Sequence, residues 1–136
     1  SVGNTWDGLF IKSSSTPDYD WLTSHDGTLW QGVNAVNNPC PSGYRVPTST
    51  ELDAERAQFS TQNAAGAFAS PLKLPLSGLR TETGGSLSTV GERGHYWSSN
   101  EVSVGVASHN LYFTSTTAAI GTGTRAYGKA VRCIKD

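Results

Sequence analysis

An α+β fold, with one or two short helices packed on a twisted antiparallel sheet and long ordered loops, is predicted by three features of this sequence. The clearest helix start lies at residues 46–51. From Leu72 onward the chain breaks into short apolar stretches divided by Gly, Thr and Ser, the texture of strands joined by tight turns. The first 39 residues show no sustained periodicity, yet they hold Trp6, Trp21 and Trp30, which a disordered tail would not use.

Taken in order, the elements begin with a short strand at 8–12 inside a segment that otherwise reads as ordered loop. At the helix start Pro47 ends an extended stretch, Thr48 can serve as N-cap, and Glu51 stands three residues later to close a capping box. A helix over 49–59 follows. Leu52 and Phe59 fall on one face of it, and Ala54 and Ala57 permit close approach. A second short helix is expected over 63–69, ended by Pro71. Strands are expected at 72–76, 95–98, 107–114 and 126–134, with a turn at 121–123. His109, Leu111 and Phe113 alternate with Asn110, Tyr112 and Thr114, so the third strand should bury one face.

The 136 residues suit one domain, 1–136, and a domain of that size buries roughly two-thirds of its unfolded surface. Hydrophobic residues make up 36% and charged residues only 15%, a mix that suits secreted β-rich proteins. A net charge of -1 and a pI near 6.3 leave no footprint for a phosphate backbone, so no nucleic-acid partner is expected. No run of about 18 apolar residues exists, so no membrane insertion is expected. The chain starts at Ser1 without the marks of a signal peptide and contains no Met, the expectation being a processed product or a fragment of a longer protein.

Cys40, at a turn before the helix, and Cys133, in the last apolar strand, allow a single intramolecular pairing, with no C-x-x-C spacing to suggest zinc or redox chemistry. A disulfide there would staple the front of the domain to its back, stabilise it by about 4 to 5 kcal/mol, and imply an oxidising compartment. Two buried free thiols in a cytosolic protein are the alternative. Binding modules are stapled in this way more often than enzymes.

Four segments resemble the Fibrobacter succinogenes major paralogous domain family: LWQGVNAVNNPCPSGYRVPTSTELDAERAQF at 29–59, NAAGAFASPLKLPLSG at 63–78, YWSSN at 96–100 and RAYGKAVRCIKD at 125–136. Together they cover roughly three-quarters of the chain, in order and at matching spacings. The family is similar to the C-type-lectin-like architecture, to the C-terminal domains of collagen-like bacterial adhesins and to formylglycine-generating-enzyme-like folds. The resemblance implies a C-type-lectin-like domain, helix before sheet, with a binding surface on irregular loops; it names no ligand. Family members usually carry an earlier strand with a tryptophan-rich, Arg-Asn-Leu-like motif that residues 1–8 do not reproduce. Such a strand would pair with the last one, so the edge at 130–134 is expected to be open to a complementing strand from another chain or a cleaved segment.

Ser99, Asn100 and Glu101 offer oxygens and amide donors together, the combination that a sugar's hydroxyl pairs require beside an aromatic face. The structural alternative is that Trp97 fills the core while Ser99 and Asn100 make turn hydrogen bonds. Arg125 and Tyr127 could present a guanidinium and an amphipathic ring on the same surface as Asn110 and Tyr112. Alternatively, Arg125 pairs with a carboxylate such as Glu101 and Tyr127 packs under the sheet. Asp18, Asp20 and Asp26 surround Trp21 and His25 and could hold calcium, the one cofactor considered. Their spacing lacks the glycine and terminal glutamate of an EF-hand loop, and Asx turns and helix or loop caps explain them better. His25, His95 and His109 are too scattered to read as a zinc site, and there is no G-x-S-x-G elbow or Cys-His pairing.

The sequence thus predicts a non-enzymatic extracellular binding or adhesion module at a cell or virion surface, recognising a surface carbohydrate or protein ligand. The alternative is a self-associating structural subunit of an extracellular filament, shell or phage fibre tip, a possible homo-oligomer.

Overall fold

A computed structural model describes residues 24–103 and 106–136. The strand expected at 8–12, together with Trp6, Trp21, Asp18 and Asp20, lies outside the described residues. The fold is mixed α+β, with two short helices and mostly antiparallel sheets.

Helix α1 (Ser49–Ala57) starts where its local signals place it. The Thr48 hydroxyl accepts from the Glu51 N–H at 3.2 Å, and Glu51 Oε2 accepts from the Thr48 N–H at 2.8 Å, which closes the capping box. A second layer locks that start. Arg45 in strand β1 (Tyr44–Arg45) donates from both terminal nitrogens to Glu51, at 2.8 and 2.7 Å, and from Nε to Asp136 at 2.6 Å. One guanidinium therefore ties the helix entry to the last residue of the described chain.

The bidentate Arg45 contact holds the Glu51 carboxyl down from its usual 4.5 to about 2, burial opposing. A carboxylate ionised more readily in the folded than in the unfolded chain contributes stability above about pH 4.5, and that stability is lost as pH falls toward 2. Because the Glu51 side chain is 39% exposed, solvent screening keeps the effect on the order of 1 kcal/mol. Glu51→Gln should therefore unfold more easily than wild type at pH 7. The gap should close between pH 4.5 and 2 in paired thermal melts; a gap independent of pH would refute the assignment.

Helix α1 ends at Ala57, two residues short of Phe59, after which Gln58 caps it. Leu52 and Phe59 are both buried as expected, whereas Ala54 and Ala57 face solvent and bring no neighbour close. Helix α2 (Ala64–Ala69) is capped by the Asn63 side chain, which accepts from Ala65 and Gly66 N–H. It is fixed to the sheet by a bond from Ala64 N–H to the Thr114 carbonyl at 2.8 Å.

The strand expected at 72–76 does not form. Pro71 and Pro75 withhold backbone donors, Lys73 takes a left-handed φ of 51°, and Leu74 N–H returns to the Ala67 carbonyl at 3.2 Å. The Leu alternation there serves packing: Leu74 is wholly buried against α2 and the sheet, with Leu72 and Leu76 partly buried beside it.

The main sheet is an antiparallel meander of β4 (Gly94–Ser103), β5 (Ala107–Phe113) and β6 (Ala118–Thr124). Leu111 pairs with Tyr96 and Ile120, and Phe113 with Ala118; these residues share the face that meets the helices. Tyr96 stacks on Phe113 at 5.9 Å between centroids and donates its hydroxyl to the Pro75 carbonyl. The turn expected at 121–123 lies instead inside β6. The true reversal is at 115–117, where the Thr114 hydroxyl accepts from Thr116 and Thr117 N–H.

The strand expected over 126–134 is interrupted. Its parts are β7 (Gly128–Lys129), which joins β2 (Leu79–Arg80) and β3 (Leu87–Ser88) in the order β3-β2-β7, and β8 (Ile134–Lys135), which pairs with β1. Ala130 makes a parallel bridge to Tyr96. Thus Ala130 and Ile134, the two ends of the segment read as an open edge, have partners within the chain. Cys40 and Cys133 form a disulfide, with Cα atoms 5.8 Å apart.

Candidate functional site

Residues paired across antiparallel strands project to the same side. His95, Trp97, Asn110, Tyr112 and Gly121 therefore share the face of the meander turned away from the helices. That face is covered too, so β5 is enclosed on both sides: Asn110 is 2% exposed and Leu111 is fully buried. One cover is the segment from Arg125 to β7. The other is a loop wall of successive turns over 24–38.

The loop wall is fixed by its own polar side chains. Asp26 accepts from the Thr28 N–H and hydroxyl at 2.8 and 2.6 Å, which forms an Asx turn and holds its carboxyl below the usual range. The Asn38 side chain donates to the Val33 and Tyr44 carbonyls and accepts from the Cys40 N–H. The wall is thereby joined to the frame at the disulfide.

Between wall and sheet lies a cleft of about 350 Å³. Asp26, Trp30 and Asn37 line it from the loop, Trp97, Ser99 and Glu101 from β4, and Arg125, Tyr127 and Lys129 from the opposite side. A bulge shapes its floor: the β4–β5 register shifts between Trp97 and Glu101, which turns Glu101 toward the wall. Gly27 permits the approach, since a Cβ there would strike the Glu101 carboxylate.

Charges in the cleft are arranged in a chain. Arg125 Nη1 lies 2.6 Å from His25 Nδ1, and His25 Nε2 lies 3.0 Å from Glu101 Oε2. A guanidinium only donates, so Nδ1 is the acceptor. The Nε2 contact to Glu101 is one of proximity, and among the described residues Glu101 Oε2 accepts no hydrogen bond. Arg125 also donates to the Asp26 carbonyl at 3.2 Å, and its Nη1 is 3.8 Å from Glu101.

Lys129 is held differently. Its Nζ stands 4.0 Å from the centroid of the Trp97 ring and 5.6 Å from that of Tyr127, a cation–π placement. Gly123 makes room for it, because a Cβ would strike the ammonium. Burial lowers the Lys129 ammonium from 10.5 to about 8. The neighbouring His95 imidazole is also pushed down, first by burial and then by the Lys129 charge.

Of the residues singled out from sequence, Ser99, Glu101, Arg125, Tyr127 and Asp26 meet in this cleft. Asn100 is engaged elsewhere, since it accepts from the Ser49 N–H at 2.7 Å and donates to the Ser49 hydroxyl at 3.0 Å, pinning the bulge to the start of α1. Ser99 is 8% exposed, and its N–H donates to the Pro47 carbonyl. Asn110 is buried with Oδ1 3.5 Å from His95 Nδ1, and Tyr112 stacks on His95 at 6.3 Å; both share the face but stand outside the cleft. Asp18 and Asp20 lie outside the described residues, and among the described residues no three His, Cys, Asp or Glu side chains group as metal ligands.

Sequence reasoning missed Trp30, Lys129 and the double role of Trp97, which is both core and cleft floor. A signal was available for Lys129, since Tyr127 and Lys129 alternate at the strand period in AYGKA. Among the described residues no helix is long and apolar enough to cross a membrane. No protein-family model, curated protein or solved structure matches the chain.

Proposed function

We propose that this chain is an extracellular, non-catalytic carbohydrate-binding module of C-type-lectin-like architecture, similar to the Fibrobacter succinogenes major paralogous domains. The observation that carries this reading is the cleft itself, whose walls combine the aromatic side chains of Trp30, Trp97 and Tyr127 with fixed charges and hydroxyls. Sugars present a flat apolar ring face and an edge of hydroxyls, so they require this mixture of aromatic and polar groups. Its volume of about 350 Å³ admits a ligand the size of a mono- or disaccharide. The polar groups are held in place by each other before any ligand arrives, which lowers the ordering cost of binding.

The disulfide supports an oxidising compartment and hence a cell-surface or virion-surface setting. Self-association rested on an open edge at 130–134; internal partners at Ala130 and Ile134 weaken that motive, so ligand binding is preferred.

The test is a broad glycan array probed with the oxidised full chain. Wild type should bind at least one glycan class, and Trp30→Ala and Tyr127→Ala should each lose that binding while melting within a few degrees of wild type. Binding that survives both substitutions, or an array that stays blank at micromolar protein, overturns the reading.

A further inference from the structure

Resting on the carbohydrate reading, we propose that the sugar held in the cleft is an anionic one, its carboxylate or sulfate paired with Lys129 Nζ. Among the described residues the other charged groups of the cleft lie against groups of the chain itself, although Glu101 Oε2 accepts no hydrogen bond from its neighbours. Asp26 is taken up by its Asx turn with Thr28, and Glu101 and Arg125 face each other through His25. Lys129 is the remaining charged side chain of the cleft, and among the described residues no carboxylate lies within ion-pairing distance of it.

A half-buried ammonium without a counter-ion is costly, and burial is the cause that depresses it. The aromatic rings of Trp97 and Tyr127 offset part of that cost. A ligand anion would offset much of the rest, since a charge-assisted hydrogen bond in a partly dry site is stronger than a neutral one. Gly123 in β6 leaves the space that the Lys129 ammonium occupies. A stretch of basic residues would suit a polyanion, but the chain carries a net charge of -1 and, among the described residues, the cleft holds one ammonium without a carboxylate beside it. One anionic group per site is the matching ligand, as on a uronate or a sulfated sugar.

Isothermal titration of the oxidised full chain tests this with three probe sets: oligogalacturonate and alginate fragments, sulfated galactose oligosaccharides, and neutral galacto- and cello-oligosaccharides. Uronate or sulfated probes should bind about tenfold or more tighter than their neutral counterparts. Lys129→Gln should abolish that preference by weakening the anionic probes about tenfold or more relative to the neutral ones, Lys129→Arg should keep the preference, and the melting temperature of Lys129→Gln should equal or exceed that of wild type. Preference for only one probe class identifies carboxylate or sulfate as the group recognised. Neutral probes binding as tightly as anionic ones, or a preference untouched by Lys129→Gln, overturns the anionic assignment and leaves the carbohydrate reading standing. Failure of wild type to bind any of the three sets, together with a blank array, overturns both.

Discussion

Replacing Cys40 and Cys133 together with serine should lower the free energy of unfolding by about 4 to 5 kcal/mol, the largest effect expected of any change outside the core. The bond closes a loop with a sequence separation of 93, and in the chain-entropy model a loop of that length restricts the unfolded ensemble by about this amount. The loss is a large share of the roughly 5 to 15 kcal/mol that holds an ordinary domain folded. It corresponds to a fall of about 10 to 20 °C in melting temperature. Little else bridges these ends: β1 and β8 pair over two residues each, and the Arg45 contacts to Glu51 and Asp136 are partly exposed.

The effect should not be uniform. Cys40 donates its N–H to Asn38, whose side chain holds the loop wall of the cleft, whereas the helices and the meander are fixed by their own core. Wild type under reductant should match the double serine variant, and amide exchange should rise first in residues 26–38. Equal melting temperatures with and without the bond would refute the staple's energetic role.

The sequence disclosed those features that are decided locally. A capping box needs only Thr48 and Glu51, and an Asn cap needs only Asn63 and the next turn, so both helix starts were legible. What depends on distant partners was not. Gly121 and Gly123 read as a turn because glycine is permissive, yet here glycine clears space for the Tyr112 ring and the Lys129 ammonium across the sheet. The leucines at 72, 74 and 76 alternate like a strand, but their partners are α2 and the main sheet, and the flanking prolines remove the ladder. The same division runs through the cleft. Glu101 and Arg125 were recognisable as a potential pair, while Asn100 looked like a ligand group because its partner, Ser49, is 51 residues away. Trp30 gave no pattern at all; only its presence in a loop too rich in tryptophan to be a tail marked it.

The second large effect lies at Phe113, where alanine should cost about 3 to 5 kcal/mol. The ring is wholly buried, stacks on Tyr96 and belongs to the cluster that Leu52, Leu74 and Leu111 complete. It sits at the end of β5, beside Thr114, whose carbonyl anchors α2 and whose hydroxyl forms the turn into β6. Its loss should open a cavity that β5 cannot close by shifting, since Asn110 is confined on the opposite face of the same strand. Phe113→Leu, which fills most of the volume, should cost roughly 1 to 2 kcal/mol. In urea titrations the midpoint should fall for both variants with little change in slope. Because Phe113 and the cleft lie on opposite faces of the sheet, the folded fraction of Phe113→Leu should bind the cleft's ligand with wild-type affinity. A loss of affinity in that variant would mean that the two faces of β5 are coupled through its register. A midpoint shift for Phe113→Ala below that of Phe113→Leu would mean that the helices do not pack on this face at all.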